Sequence, residues 1–200
     1  MKVLLVGGAG QVAQNLVKSI PAWDFRALDA VPSSPGVADS LLGDVADLDT
    51  LVTASCGMDA IVHLTHGGGN SAPWSNTLPV DYIGTYNIFE AAARNGVARV
   101  VFASRAGIMG GSNEGAPYPP DRTRTVEMLP KPVGYYSVAK VFGEALGYHY
   151  AATTGMSVVC IRIGNFKATR SEPDHPHALG HADCAALFFQ AVTYPLAVRP

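Results

Sequence analysis

Short unbroken apolar runs alternate along the chain with stretches in which apolar residues return every three or four positions. The runs at 3–6, 25–28, 41–42, 60–64, 98–103 and 157–163 read as strands. A strand covered on both faces shows as a continuous apolar run rather than an alternation of apolar and polar residues. Helical spacing begins near Gln11, recurs at 48–52, and runs through 75–95 on Leu78, Tyr82, Ile83, Tyr86, Phe89, Ala92 and Ala93 up to Gly96. It returns over 136–154, closed by Gly155, and over 181–192. Strand followed by helix, repeated, predicts an α/β fold: a doubly wound parallel sheet of six to seven strands with helices on both faces. A segment at 110–134, rich in proline and without such spacing, reads as a functional flap.

The first strand ends in Gly7-Gly8-Ala9-Gly10-Gln11-Val12-Ala13. Glycine there lets the chain turn tightly into a helix whose first N–H groups, at Gln11 and Val12, can hold a pyrophosphate. Ala13 takes the place of a third glycine and is small enough for close contact between helix and strand. Asp29 closes the second strand about 20 residues after Gly10, where a Rossmann unit places the carboxylate that accepts from the adenosine ribose. Ala30, Val31 and Pro32 offer no cation for a 2′-phosphate, which favours NAD over NADP. Asp44 fits two roles, receiving an adenine amino group or capping the helix at 48–52. His63, inside the fourth strand, reads as a core histidine. Gly67, Gly68 and Gly69 make either a close approach to the cofactor or a loose turn.

Tyr136 and Lys140 lie four residues apart on one helix and so share a face. An ammonium beside a phenol favours the ionised phenol, which makes Tyr136 an acid/base candidate. Tyr135 points elsewhere around the helix. Ser104 and Arg105 end the fifth strand, beside the crevice where open α/β sheets take their ligands.

Composition narrows the partners. The chain has 200 residues, 48% hydrophobic and only 15% charged, enough for one compact domain over 1–200. A net charge of −2 with no basic run argues against nucleic acid or an anionic membrane, and no apolar segment reaches spanning length. Cys56, Cys160 and Cys184 are widely spaced and odd in number, so neither a disulfide framework nor a thiolate metal site is expected. His175, His177 and His181 lie in an uneven loop with two prolines and a glycine among them, and no metal is expected there either. A cytoplasmic protein acting on a small molecule fits best.

Taken together, Gly7-x-x-Gly10-x-x-Ala13, Asp29, Asp44-Val45, Tyr136-x-x-x-Lys140 and Arg162 resemble the extended short-chain dehydrogenase/reductases, the NAD-dependent epimerase/dehydratase group. Longer strings are most similar to uronate dehydrogenases: His63-Leu64, Pro73-Trp74, Ile83-Gly84-Thr85-Tyr86-Asn87, Val101-Phe102-Ala103-Ser104, Lys140-Val141-Phe142-Gly143-Glu144 and Arg162-Ile163-Gly164. The resemblance implies NAD as cofactor, held by Gly7, Gly10, Gln11, Val12, Asp29, Asp44, Val45, Leu64, Tyr136 and Lys140. It implies hydride transfer from a sugar-acid hydroxyl, with Tyr136 as base, Lys140 assisting and Ser104 the nearest further hydroxyl. Ser71, Arg105, Asn165 and Arg170 are candidate substrate contacts, and a homodimer is expected. Alternatives are a sugar-nucleotide epimerase or dehydratase and a weakly catalytic NAD-binding module. Three departures stand out. Arg105 replaces the family's second Ser or Thr, Asp81 replaces its usual Asn, and relatives continue past the length at which this chain stops, leaving a minimal substrate region.

Overall fold

In a computed structural model the described residues are 1–33, 36–109, 125, 127–166 and 178–195. Arg170, His175, His177 and most of the expected flap lie outside them. The strands are β1 (Lys2–Val6), β2 (Asp24–Asp29), β3 (Asp39–Leu42), β4 (Ala60–His63), β5 (Arg99–Arg105) and β6 (Ser157–Ile163). They form one sheet in the order β3-β2-β1-β4-β5-β6, every pair parallel. The order reverses between β1 and β4, so the carboxyl ends of these two strands flank the crevice in which such sheets bind dinucleotides. Two further strands, β7 (Asn165–Phe166) and β8 (Ala178–Leu179), pair separately.

Along β1, β4 and β5 both faces of the sheet are buried, as the unbroken apolar runs require, whereas the edge strand β3 is largely exposed and β6 half-buried. On β1, Leu4 and Val6 enter one core with Leu51, Ile88, Phe89, Phe102 and Tyr150, whereas Val3 and Leu5 enter another with Leu16, Val101 and Phe188. The first core lies under α2 (Leu48–Ser55), α4 (Gly84–Arg94) and α5 (Tyr135–Thr154), and the second under α1 (Gln11–Ser19) and α6 (His181–Thr193). Ala13 is fully buried in that second core. Gly143 has the same use on α5: a side chain there would start 2.3 Å from the Phe102 ring.

Two local readings are corrected. The helix that begins at Leu48 is capped by Asp47, whose carboxylate accepts from the Asp49 N–H, while Asp44 turns on itself and accepts from the Ala46 N–H. The helical spacing over 75–95 is not one α-helix. A short α3 (Trp74–Thr77) runs into a π-helical segment, Leu78–Ile83, before α4 continues. The wider π turn carries Asp81 into the interior, where it is 3% exposed.

Candidate active site

The glycine turn is shaped by backbone proximity. Gly7 has φ of +93°, and a Cβ on it would sit 2.9 Å from the Thr65 N, where the chain leaves β4. A Cβ on Gly8 would sit 2.6 Å from that of Ala27. The Gly10 N–H donates to the Gly7 carbonyl, and α1 starts directly afterwards with no side chain hydrogen-bonded at its cap. Asp29 accepts from the Ala9 N–H at 2.9 Å and from the Val31 N–H, which fixes its carboxylate beside the turn. Ser33 brings a buried hydroxyl without a partner to the same side, 3.2 Å from the position of a Gly8 Cβ. Leu64 ties the end of β4 to Val6 by backbone hydrogen bond, and Val45 packs against Gly84 while its carbonyl accepts from Asn87. A cradle that excludes side chains, a helix N-terminus and a fixed carboxylate together fit an adenine dinucleotide.

Tyr136 and Lys140 stand on the first turns of α5, at the ends of β4 and β5. Lys140 is 4% exposed. Its ammonium lies 4.8 Å from the Phe102 ring centre and 5.3 Å from that of Tyr136, and it donates one long hydrogen bond, 3.4 Å, to the Thr65 carbonyl. Burial pulls its pKa down to about 8; Asp81 opposes the fall and Arg105 adds to it. Asp81 moves the other way, raised by burial, although the Gly67 N–H donates to its Oδ2 at 2.9 Å. His66 sets its ring against Tyr136, centroids 5.8 Å apart, and burial followed by Lys140 lowers its pKa.

Arg105 reaches the same place from β5. Its guanidinium carbon lies 5.2 Å from the Tyr136 ring centre, and Nη1 donates to Asn70 Oδ1 at 2.6 Å and to Ser137 Oγ at 3.2 Å. Asn70 and Ser137 were not singled out by sequence. Ser137 directly follows Tyr136, and nothing in either residue's spacing marks it as an anchor for Arg105. Ser104 goes elsewhere: its hydroxyl donates at 2.6 Å to Glu144, one turn beyond Lys140, and Glu144 also holds Arg162 through both oxygens. His63 is fully buried between Thr85 and Thr65 hydroxyls, and burial followed by Lys140 holds its pKa well below the ordinary value. Ser71 lies exposed in the loop after β4, and Asn165 on β7. Among the described residues no group of His, Cys, Asp or Glu is arranged to hold a metal, and no helix is long and apolar enough to cross a membrane.

Residues 3–183 match the model of the NAD dependent epimerase/dehydratase family. Over 169 residues the chain is 35% identical to L-arabinose 1-dehydrogenase (NAD(P)(+)) of Haloferax volcanii, a match covering 82% of this chain and 66% of the relative. It is 32% identical over 171 residues to uronate dehydrogenase of Pseudomonas syringae pv. tomato, covering 82% of this chain and 59% of that enzyme. The chain thus spans about two thirds or less of the length of these relatives. The crystal structure of uronate dehydrogenase from Agrobacterium tumefaciens superposes with a TM-score of 0.84 at 28% identity, over 98% of this chain and 73% of that one, and a mutant of it complexed with NAD does so equally. With six parallel strands in this order, a glycine cradle at the crossover and the family match over most of its length, the chain belongs to the NAD dependent epimerase/dehydratase family.

Proposed function

We propose that the protein is an NAD-dependent dehydrogenase that oxidises a hydroxyl of a sugar acid, in the uronate class, to the carbonyl level. The observation that carries this reading is the meeting of Tyr136 and Lys140 beside the glycine cradle, with Arg105 adding a second cation on the same ring. Tyr136, as phenolate, takes the proton of the substrate hydroxyl, and the two cations favour that ionised form. Lys140 holds the nicotinamide ribose. Gly7, Gly10, Gln11 and Val12 would hold NAD, which would supply the hydride acceptor for the carbon that bears this hydroxyl, so that a cyclic uronate would leave as its lactone with NADH and one proton as the other products. Asp29 selects the unphosphorylated ribose, and Asp44, Val45 and Leu64 border the adenine and nicotinamide positions. The positive potential of Arg105 draws the substrate carboxylate, with Ser71, Asn165 and Arg170 as further polar contacts. Ser104 is left out of the chemistry because its hydroxyl is committed to Glu144.

Relatives acting on a neutral sugar and on a sugar phosphate set the test. Purified protein with NAD is offered glucuronate, galacturonate, L-arabinose and glucose 6-phosphate, and NADH absorbance is followed. Turnover on the uronates that is lost in Tyr136→Phe is expected; turnover on L-arabinose alone would overturn the sugar-acid assignment.

A second copy of the chain is proposed to cover the face built by α3, the π segment and α5. Trp74, Ile83, Tyr135 and Val138 are exposed there, and Trp74 packs on Tyr82 and Tyr135 at 5.3 and 5.1 Å between ring centres. An apolar patch of that kind is characteristic of an interface. Sedimentation at micromolar concentration is expected to show a dimer, and Tyr135→Glu a monomer.

A further inference from the structure

The helix that carries Tyr136 and Lys140 meets the sheet through glycine. A Cβ on Gly143 would start 2.3 Å from the Phe102 ring, and one on Gly147 would lie 2.8 Å from Val158. Such a surface allows close approach, but it has no ridge to stop the helix from sliding or turning. Directional contacts must fix it. Near its start, Ser137 meets Arg105 at 3.2 Å and Asn70 at 2.9 Å, and near its end Tyr150 donates to Glu90 on α4 at 2.8 Å. Between them, Glu144 meets two strands at once.

Ser104 and Arg162 are register partners on the parallel strands β5 and β6, so their side chains emerge on one face of the sheet. Both reach the same carboxylate. Glu144 Oε1 accepts from Ser104 Oγ at 2.6 Å and from Arg162 Nε at 2.9 Å, and Oε2 accepts from Arg162 Nη2 at 2.7 Å. The remaining guanidinium nitrogen, Nη1, donates to Met109 Sδ at 3.3 Å. With the Arg162 and Glu144 side chains only 21% and 16% exposed, this is a sheltered, two-pronged ion pair rather than a solvated surface bridge.

Lys140 and Glu144 stand one turn apart on α5 and share a face. The Lys140 ammonium lies 4.8 Å from the ring centre of Phe102, two residues before Ser104 on β5. A slide or rotation of α5 would carry the ammonium off that ring and take Tyr136 with it. We infer that Glu144 is a positioning residue: by clamping α5 to the paired Ser104 and Arg162, it sets where Lys140 and Tyr136 stand at the ends of β4 and β5. The inference rests on the reading of Lys140 as a contact of NAD, but its first consequence appears in the free protein.

The experiment reads two quantities on folded protein: the side-chain methylene resonances of Lys140 in lysine-labelled, cofactor-free samples, and the NAD affinity by calorimetry. The Phe102 ring shifts those resonances, and their absence from Lys140→Met assigns them. The main variant is the triple Ser104→Ala/Glu144→Leu/Arg162→Met. It strands no hydroxyl or charge, so its urea midpoint is expected to stay near the parent's. Its Lys140 resonances are expected to move toward those of an ordinary lysine, and its NAD affinity to fall about tenfold. Tyr150→Phe, which loses the tie to Glu90, serves as the structural control: a lower midpoint is expected, with resonances and affinity unmoved. Should the triple variant fail to fold, Arg162→Lys decides, because it keeps the charge but cannot serve both oxygens; the same two changes are expected, smaller. A folded clamp variant in which either quantity stays in place, or a Tyr150→Phe that moves both, overturns the inference. No sugar is added, so a failed turnover assay and a failed clamp remain distinguishable.

Discussion

The glycine turn after β1 and the Lys140 pocket after β4 and β5 border one crevice, yet they are built by opposite means. The turn is built by leaving side chains out: Gly7 and Gly8 have no room for a Cβ, and the binding proposed there would fall to backbone N–H groups and a helix end. The pocket works by forcing side chains in: Lys140, Asp81 and Arg105 are brought together where water is scarce, and each alters the protonation of its neighbours. A site made of backbone is rigid and indifferent to pH. A site made of buried charge is tunable and pH-sensitive.

Breaking each region should therefore look different. The largest stability effect is expected from Gly7→Val, which combines a left-handed φ with a 2.9 Å approach to the Thr65 N. A loss of about 3 kcal/mol in urea unfolding is expected, together with loss of NAD binding at every pH tested. Lys140→Met should act in the other direction. Replacing a desolvated ammonium by an apolar chain of similar length is expected to raise stability by about 1–2 kcal/mol at pH 7 while abolishing turnover. The sign follows from linkage: the native lysine has its pKa lowered to about 8, so the cost of its charge is present below that pH and is relieved as pH rises toward 10.5. Stability gained at pH 7 and absent at pH 10.5 would confirm the origin, and an equal gain at both would locate it in packing instead. The smallest effect belongs to Ala13→Gly on α1, where loss of the buried methyl and added backbone freedom should cost about 1 kcal/mol and leave NAD affinity nearly intact. Calorimetry with and without NAD checks both parts.

The same contrast explains what the sequence could disclose. The strands of the main sheet, the crossover point and the cradle follow from local rules: unbroken apolar runs for doubly covered strands, glycine where Thr65 and Ala27 press on the chain, and an acid at the end of β2. That Tyr136 and Lys140 lie side by side was legible because four residues on a helix return to one face. What surrounds them was not. The spacing over 75–95 is close to helical throughout, and it cannot reveal a π turn that carries Asp81 inward. Asn70 and Ser137 hold Arg105 across contacts separated by tens of residues, and no local pattern encodes them. Ser104 lay at the expected strand end, but its orientation depended on Glu144, forty positions away.

The central claim is that the Tyr136 phenol removes the substrate proton at a site where the glycine cradle and Lys140 would supply most of the hold on NAD. Single-turnover formation of NADH from glucuronate, in wild type and in Tyr136→Phe with NAD affinity measured on both, tests it most directly. The account predicts equal NAD affinity and a rate about 1,000-fold lower in the variant, close to 4 kcal/mol in the barrier. Equal rates at equal affinity would contradict it.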